Sequence, residues 1–540
     1  MNYLKNPVMK KDTIIIIGII LLGMLMYGLT LRGNLGNPTA EQFKNNLDQP
    51  TNAFELSPER GRYVQVANMA ESGKYDLSKT WADIAYPDVG VSSDGKFNSF
   101  FAPGVSYFTL PFYLVGAKFR FGQIATFAAE SLVSIITLVF IYLTGLRIFG
   151  LPRWAAFFAV LTYGFASTSW GYAITLYQNA FTACFIITGF YATWRFAHTD
   201  SRYRFLYAAY IWLAYALAFF VDYPNAVLML PVMVYFAAST FSLKKIEEGI
   251  ALSVHWSAIL TVVVFIFVMG LQFWHNATYY GGWRHLAGEL HDYKHASIFA
   301  ATTTPTTTPI HARMVSATPL IAGTVATGTT VIKNKTAVGF FHEKAVPTGL
   351  FILLLGDERG LLFFSPIFLF AFLGVGYALQ KKDGKGPAYA VPISLIVVNI
   401  FLYSAWGDPW GGWAYGPRYL IPSMPWLALF VAVALSRGPF SAAKKILGYG
   451  LFLFSSAVAL LGALTSNAIP PKTEAILLPV KSYNFIKDIG FLEDNRSSSF
   501  MYKTYLHNDL SLLEYFTIIY LLIALVAAVT LLLSYNHHHE

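Results

Sequence analysis

Glu59 is the carboxylate best placed to act as a base. It lies in FELSPERGRYVQVANMAESGKYDL, where Ser57 can cap a helix and Pro58 suits its first turn. Tyr63, Val66, Ala67 and Ala70 then follow helical spacing, and Gly73 ends the run. Glu59 therefore falls in a first turn, where free backbone N–H groups and the helix dipole favour its ionised form. The same pattern also fits a carboxylate that only stabilises a helix start. Arg60 and Arg62 follow as candidate substrate contacts, and Lys96 precedes the amphiphilic run opened by Pro103-Gly104. Glu130 lies inside a long apolar stretch, where a carboxylate is costly and usually partnered. Asp222, in FVDYPN, marks the end of another stretch, and it is either a cavity residue or a solvated helix end.

A second constellation is YSAWGDPWGGWAYGPRYLIPSMPWLAL, which crowds Trp406, Trp410, Trp413, Tyr415 and Tyr419 around Gly411, Gly412 and Gly416. Arg418 stands at the entrance of the apolar run that follows. Its planar fork suits a phosphate oxygen at headgroup depth; a lipid anchor or a partner for Asp408 are the plainer readings. Tyr415 is a candidate contact beside it, and Asp357, Glu358 and Arg359 add charge nearby. His291 and His295 stand four apart, but no HExxH pattern or thiolate supports a metal site. No Walker A loop, G-x-S-x-G elbow or GxGxxG fingerprint occurs, which disfavours nucleotide hydrolysis and serine hydrolase chemistry. The one cysteine, Cys184, sits in an apolar run and reads as a buried thiol. His537, His538 and His539 read as part of a purification tag.

These residues are spread through a chain of 540 residues that is 55% hydrophobic and 12% charged, against ~25% charged in ordinary soluble domains. The bilayer is its main solvent, and the net charge of +9, scattered in small groups, orients spans rather than binding nucleic acid. The reading is an all-α polytopic membrane protein with about twelve transmembrane helices. The first span is Thr13 to Leu31, and the others fall near 123–146, 154–172, 179–196, 205–221, 224–242, 253–274, 361–379, 387–404, 418–436, 446–466 and 513–535. A further apolar run, 102–119, would invert everything downstream if it crossed. With it kept as an external juxtamembrane helix, the cytoplasmic connections hold sixteen Lys or Arg against five acids.

The chain then divides into 1–31, a tail and first span; 32–122, an external loop with juxtamembrane helices; 123–274, spans two to seven; 275–360, an external loop; 361–466, spans eight to eleven; 467–512, an external loop; and 513–540, the last span and tail. ATTTPTTTP at 301–309 opens a Thr-rich stretch running to about Thr336, expected to form a mobile external loop. Asn276, Asn334 and Asn495 begin short glycosylation sequons that all fall outside on this topology.

One span, an acid opening a short external helix, a Pro-Gly juxtamembrane helix and then many spans: this order resembles the GT-C superfamily of membrane glycosyltransferases, over most of the chain. SPERGRYVQVANMAESGKYD looks like the first-loop segment of the branch with protein O-mannosyltransferases and aminoarabinose transferases, and TGLRIFGLPRW like the basic turn after its second span. RGLLFFSPIFLFAFLG and WGGWAYGPRYLIPSMP resemble segments of bacterial and archaeal members. The resemblance implies a polyprenyl-phosphate sugar donor, a glycan, lipid or protein acceptor, membrane lipids as the surroundings, and Glu59 as base toward the acceptor hydroxyl on the external face of a cell membrane. It carries Arg418 over as a donor-phosphate contact. The family usually has Asp followed by a second acid here, whereas Glu59 is followed by Arg60, Gly61 and Arg62, so the paired-carboxylate role is left empty. Family members share no single metal requirement, so no cofactor is implied and a divalent metal is left open. A transporter or a noncatalytic lipid-binding protein are the readings from other classes; a transporter would carry ionisable residues at the bilayer midplane.

Overall fold

The computed structural model describes residues 7–46, 54–199, 203–246, 249–293, 341, 343–380, 386–437, 442–478 and 481–536. The Thr-rich stretch, His295, Asn334 and the terminal histidines lie outside the described residues.

Helices occupy each of the twelve expected positions, but they are not twelve equal rods. Eight are long and apolar enough to cross a membrane: Lys11–Thr30, Gly122–Arg147, Arg204–Val221, Trp256–Tyr279, Gly386–Ser404, Arg418–Arg437, Ala442–Leu464 and Leu512–Ser534. The other four differ for local reasons. Proline removes an N–H and clashes with the preceding turn. Pro231 accordingly opens a fresh helix, Leu230–Thr240, after the short Asn225–Leu228, and Pro366 separates Leu361–Phe364 from Leu369–Gln380. Arg153–Phe165 stops short of Ser169–Tyr172, and Asn179–Ala197 has the length but is diluted by Thr182, Thr188 and Thr193. Of the connection expected at 244–248, the described residues 244–246 belong to a strand, Phe241–Ile246, that pairs antiparallel with Gly249–Val254.

The two ends of the bundle have different chemistry. At one end Asp12 accepts from Arg153 Nε at 2.7 Å and faces Arg147 at 3.5 Å, while Arg437 donates to Tyr389 Oη at 2.8 Å and to the Phe149 carbonyl. The helix Pro7–Thr30 leads away from Asp12 for a further 18 residues, or ~27 Å. At its far end Arg32 donates its N–H to the Ile174 carbonyl at 3.2 Å, and Leu31 accepts from Phe500 N–H at 2.7 Å. Asp12, Arg147, Arg153 and Arg437 thus gather at one end, and the segments around Glu59 lie at the other.

The run expected to stay out of the membrane forms the helix Gly104–Lys118, whose 15 residues span only ~22 Å. It lies against Gly122–Arg147 and against the first-loop helix Ser57–Ser72, where Ser106 Oγ donates to the Arg62 carbonyl at 3.3 Å. Gly73, at φ 68°, closes the first-loop helix as expected, its N–H reaching the Met69 carbonyl. Its start is different from the expectation. Leu56, extended at φ −133°, is the cap residue, and Ser57 lies inside the first turn without capping it. A three-stranded sheet pairs Val89–Val91 with Phe97–Ser99 and with His291–Asp292, tying the segment before Gly104 to the one after Tyr279. Asn276, one of the sequons, is buried and bonded to Gln272, so it offers no surface amide for a glycan.

Candidate active site

Glu59, in the first turn, reaches back to the backbone that precedes the helix. Its Oε1 accepts from the N–H of Leu56 at 3.3 Å and from the N–H of Glu55, and its Oε2 accepts from the Thr175 hydroxyl. The residue is buried, and burial pushes its carboxyl up to about 7, helped by the neighbouring Glu55 carboxylate; Thr175, Arg32 and the Glu55 N–H pull it back. A carboxyl poised there alternates readily between acid and base at neutral pH.

Its turn is held from both sides. Glu55 accepts from Arg32, from the Asn467 N–H at 2.7 Å and from Ser498 Oγ, which clips the turn to the last external segment. On this side opens a cavity of about 800 Å³, lined by Glu55 and Glu59 together with Arg32, Lys487, Arg496 and Lys503. On the other side Leu56, Ser57 and Pro58 line a smaller cavity of about 250 Å³ with Asp408, Gly411, Gly412 and Arg418. Glu59 and Arg418 thus face different cavities separated by a single helical turn.

The segment Thr175 to Asn179 joins the scattered candidates. Thr175 bonds Glu59; the Tyr177 N–H donates to Glu130 Oε1 at 3.1 Å; Gln178 Oε1 accepts from Arg62 Nη2 at 2.6 Å; Asn179 Nδ2 donates to the Arg418 carbonyl at 2.8 Å. The Gln178 side chain also bonds Asp222. Burial raises Asp222 to about 6 against the opposing pull of Arg62, Gln178 and Arg418. Arg62 is pushed down to about 10 by burial, with Asp222, Tyr177 and Asp88 opposing. Its guanidinium lies 3.8 Å from the Phe101 ring centre. Arg62 and Arg418 approach the Tyr177 ring at 5.8 and 5.7 Å, and Arg418 also lies 5.3 Å from the Tyr419 ring. Gly411 makes room for that arrangement: at φ +71° it adopts a shape disfavoured with a side chain, and a Cβ would stand 2.8 Å from Arg418 Nε.

Other sequence candidates fall elsewhere. Arg60 donates to the Tyr86 carbonyl and sits beside Asp88. Lys96 pairs with Asp94 at 2.6 Å and donates to the Thr278 carbonyl at 2.7 Å, lining neither cavity. Tyr415 is packing: its hydroxyl donates to the Val458 carbonyl at 2.6 Å and its ring presses on Gly462. Asp408 gives an oxygen to the Gly412 N–H at 2.7 Å, and Arg359 gathers the carbonyls of Trp410, Gly412 and Ile469, which shapes the loop under Arg418.

Sequence reasoning missed Glu55, Asp88, Arg32, the Thr175 to Asn179 turn and the cations of the last external segment. Glu55 had a readable signal, since it stands four residues before Glu59. It lies beside Glu59, donating its N–H to Glu59 Oε1. Among the described residues, no three of His, Cys, Asp and Glu converge as ligands for a metal ion.

No family model matches the chain, and no curated protein matches its sequence. Among solved structures, ArnT from Cupriavidus metallidurans bound to undecaprenyl phosphate is similar with a TM-score of 0.47 and 14% identity, over 95% of this chain and 77% of that one. The archaeal oligosaccharyltransferase AglB from Archaeoglobus fulgidus, in complex with an inhibitory peptide and a dolichol-phosphate, gives a TM-score of 0.42 and 12% identity, over 91% of this chain and 59% of that one. At such distances the chemistry has to be read from this chain's own residues.

Proposed function

We propose that the protein is an integral-membrane glycosyltransferase that moves a sugar from a polyprenyl-phosphate donor to an acceptor hydroxyl on the outer face of the membrane. The observation that carries the reading is Glu59: a buried carboxyl raised to about 7, on the wall of a cavity of about 800 Å³ at one end of a bundle of apolar helices. An acceptor hydroxyl is too weak an acid to attack unaided. Glu59 takes its proton as the oxygen bonds to the anomeric carbon, and the bond from that carbon to the lipid phosphate breaks, the phosphate leaving with the electron pair. The negative charge gathering on the phosphate needs a fixed cation, and Arg418, across the turn, is the residue we assign to it. Arg62 and Asp222, joined through Gln178, hold the intervening turn in register.

The orientation follows from the charges: the end bearing Arg147, Arg153 and Arg437 is cytoplasmic and the Glu59 end external. All twelve positions are assigned as crossings, three of them short or interrupted and a fourth, Asn179–Ala197, diluted by threonines.

Glu59→Gln keeps the shape and removes the basicity. Transfer from a polyprenyl-phosphate sugar by the purified protein should fall ~10²- to 10⁴-fold while donor binding survives. Wild-type transfer by Glu59→Gln would instead leave Glu59 a helix-start residue, worth ~1 kcal/mol of stability at most.

A further inference from the structure

The wall of the larger cavity carries more positive charge than its surroundings balance. Arg32 is paired with Glu55. Lys503 Nζ has a neutral partner, Asn34 Oδ1 at 2.9 Å, and Lys487 Nζ has another, the Ala468 carbonyl at 3.0 Å. The Arg496 guanidinium stands 4.5 Å from the Phe491 ring centre. Among the described residues none of these three cations forms an ion pair; the acids that face them are Glu59, Glu55, which is already paired with Arg32, and Asp488, which accepts from Thr465. Three like charges around one cavity repel one another and pay for lost hydration unless an anion sits among them. Lys487 and Lys503 register this cost, since burial holds both below the ordinary lysine range.

We infer that the larger cavity is an anion subsite, formed by Lys487, Arg496 and Lys503, that holds a phosphate or carboxylate group of the acceptor beside Glu59. The inference rests on the reading of Glu59 as the base. The acceptor, not the donor, is assigned here because Glu59 opens into this cavity, whereas Arg418 lines the other one. A cavity of about 800 Å³ accommodates a sugar-sized anionic group with space to spare. The acceptor class is thus an anionic glycan or lipid headgroup, not a neutral one.

The full chain purified in detergent micelles provides the test, with glycerol phosphate, glucuronate and neutral glucose as soluble probes and a long-chain polyprenyl phosphate as the lipid probe. Binding is read by calorimetry, so no sugar transfer is needed, and a failure of the proposed reaction stays distinguishable from a failure of the subsite. The expected result is that at least one soluble anion binds and glucose does not. Lys487→Gln with Lys503→Gln should then weaken that anion by about tenfold or more, with polyprenyl phosphate affinity unchanged. Arg496→Gln, at a side chain with no hydrogen bond among the described residues, provides a second variant should the lysine pair disturb folding, and it should weaken the same anion. Two outcomes overturn the inference. In one, neither soluble anion binds, or the bound one ignores these substitutions. In the other, polyprenyl phosphate affinity falls with them, which would give the cavity to the donor.

Discussion

The hydroxyl of Thr175 donates to the carboxylate of Glu59, and through that bond the turn from Thr175 to Asn179 links Glu59 to Glu130, Arg62 and Arg418. This turn lies in neither of the segments that carry Glu59 and Arg418. It nonetheless fixes the relation between them.

The first prediction concerns pH. With its carboxyl raised to about 7, Glu59 is protonated and useless as a base in mild acid, so kcat/KM should climb with pH and level off above about 7. Thr175→Val removes a hydrogen bond that favours the ionised form, which must move the rising limb to higher pH. A pH profile with the limb unmoved would mean that Thr175 does not tune the base.

Arg418→Lys keeps the charge and loses the fork. Donor affinity should weaken by roughly tenfold, consistent with the loss of one charge-assisted hydrogen bond, and the acceptor KM should hold. Direct binding of polyprenyl phosphate to the purified variant measures it.

Asp222 gives a stability prediction whose sign can be worked out. Its folded carboxyl is raised to about 6 from 3.8, so between those values the unfolded chain releases a proton that the folded chain keeps. Stability then falls as pH rises through that window and is steady above it. In Asp222→Asn this contribution disappears, and the thermal midpoint followed from pH 4 to about 6 should change less than in the wild type.

Orientation can be checked by labelling. Ser93 and Lys118 are both exposed, on either side of the helix Gly104–Lys118, and cysteines placed there should react with an impermeant reagent from the same external face. A cysteine at Lys444 should be protected until the membrane is opened. Cys184 is buried and contributes little background. Protection of Lys118 with reaction at Ser93 would make 104–118 a crossing and reverse the assignment downstream.

Much of this architecture was legible in order along the chain. Long apolar runs must become helices in a bilayer because an unpaired backbone N–H or C=O there costs several kcal/mol, so their positions follow from composition alone. Lys and Arg at the turns set their direction for the same kind of local reason. The first-loop helix was readable too, since Pro58 and Gly73 act on the backbone within a turn of themselves. Where the sequence misled, as with Ser57 as cap, the cap falls one residue earlier at Leu56, and the Glu59 side chain reaches back to the N–H groups of Leu56 and Glu55.

The site itself was only half legible. Charge and position singled out Glu59, Arg418, Arg62 and Asp222, because a charged group near an apolar run is expensive and so conspicuous. What only the tertiary structure decided is who meets whom. Thr175, Gln178 and Asn179 are uncharged and unremarkable in the sequence; they matter because the end of one helix and the start of the next deliver them between segments more than a hundred residues apart. The split into two cavities, and the gathering of Lys487, Arg496 and Lys503 around one of them, arise from how the last external segment folds back over Arg32 and Glu55. Periodicity and propensity act over a few residues, whereas a cavity is bounded by side chains that share only a place in space.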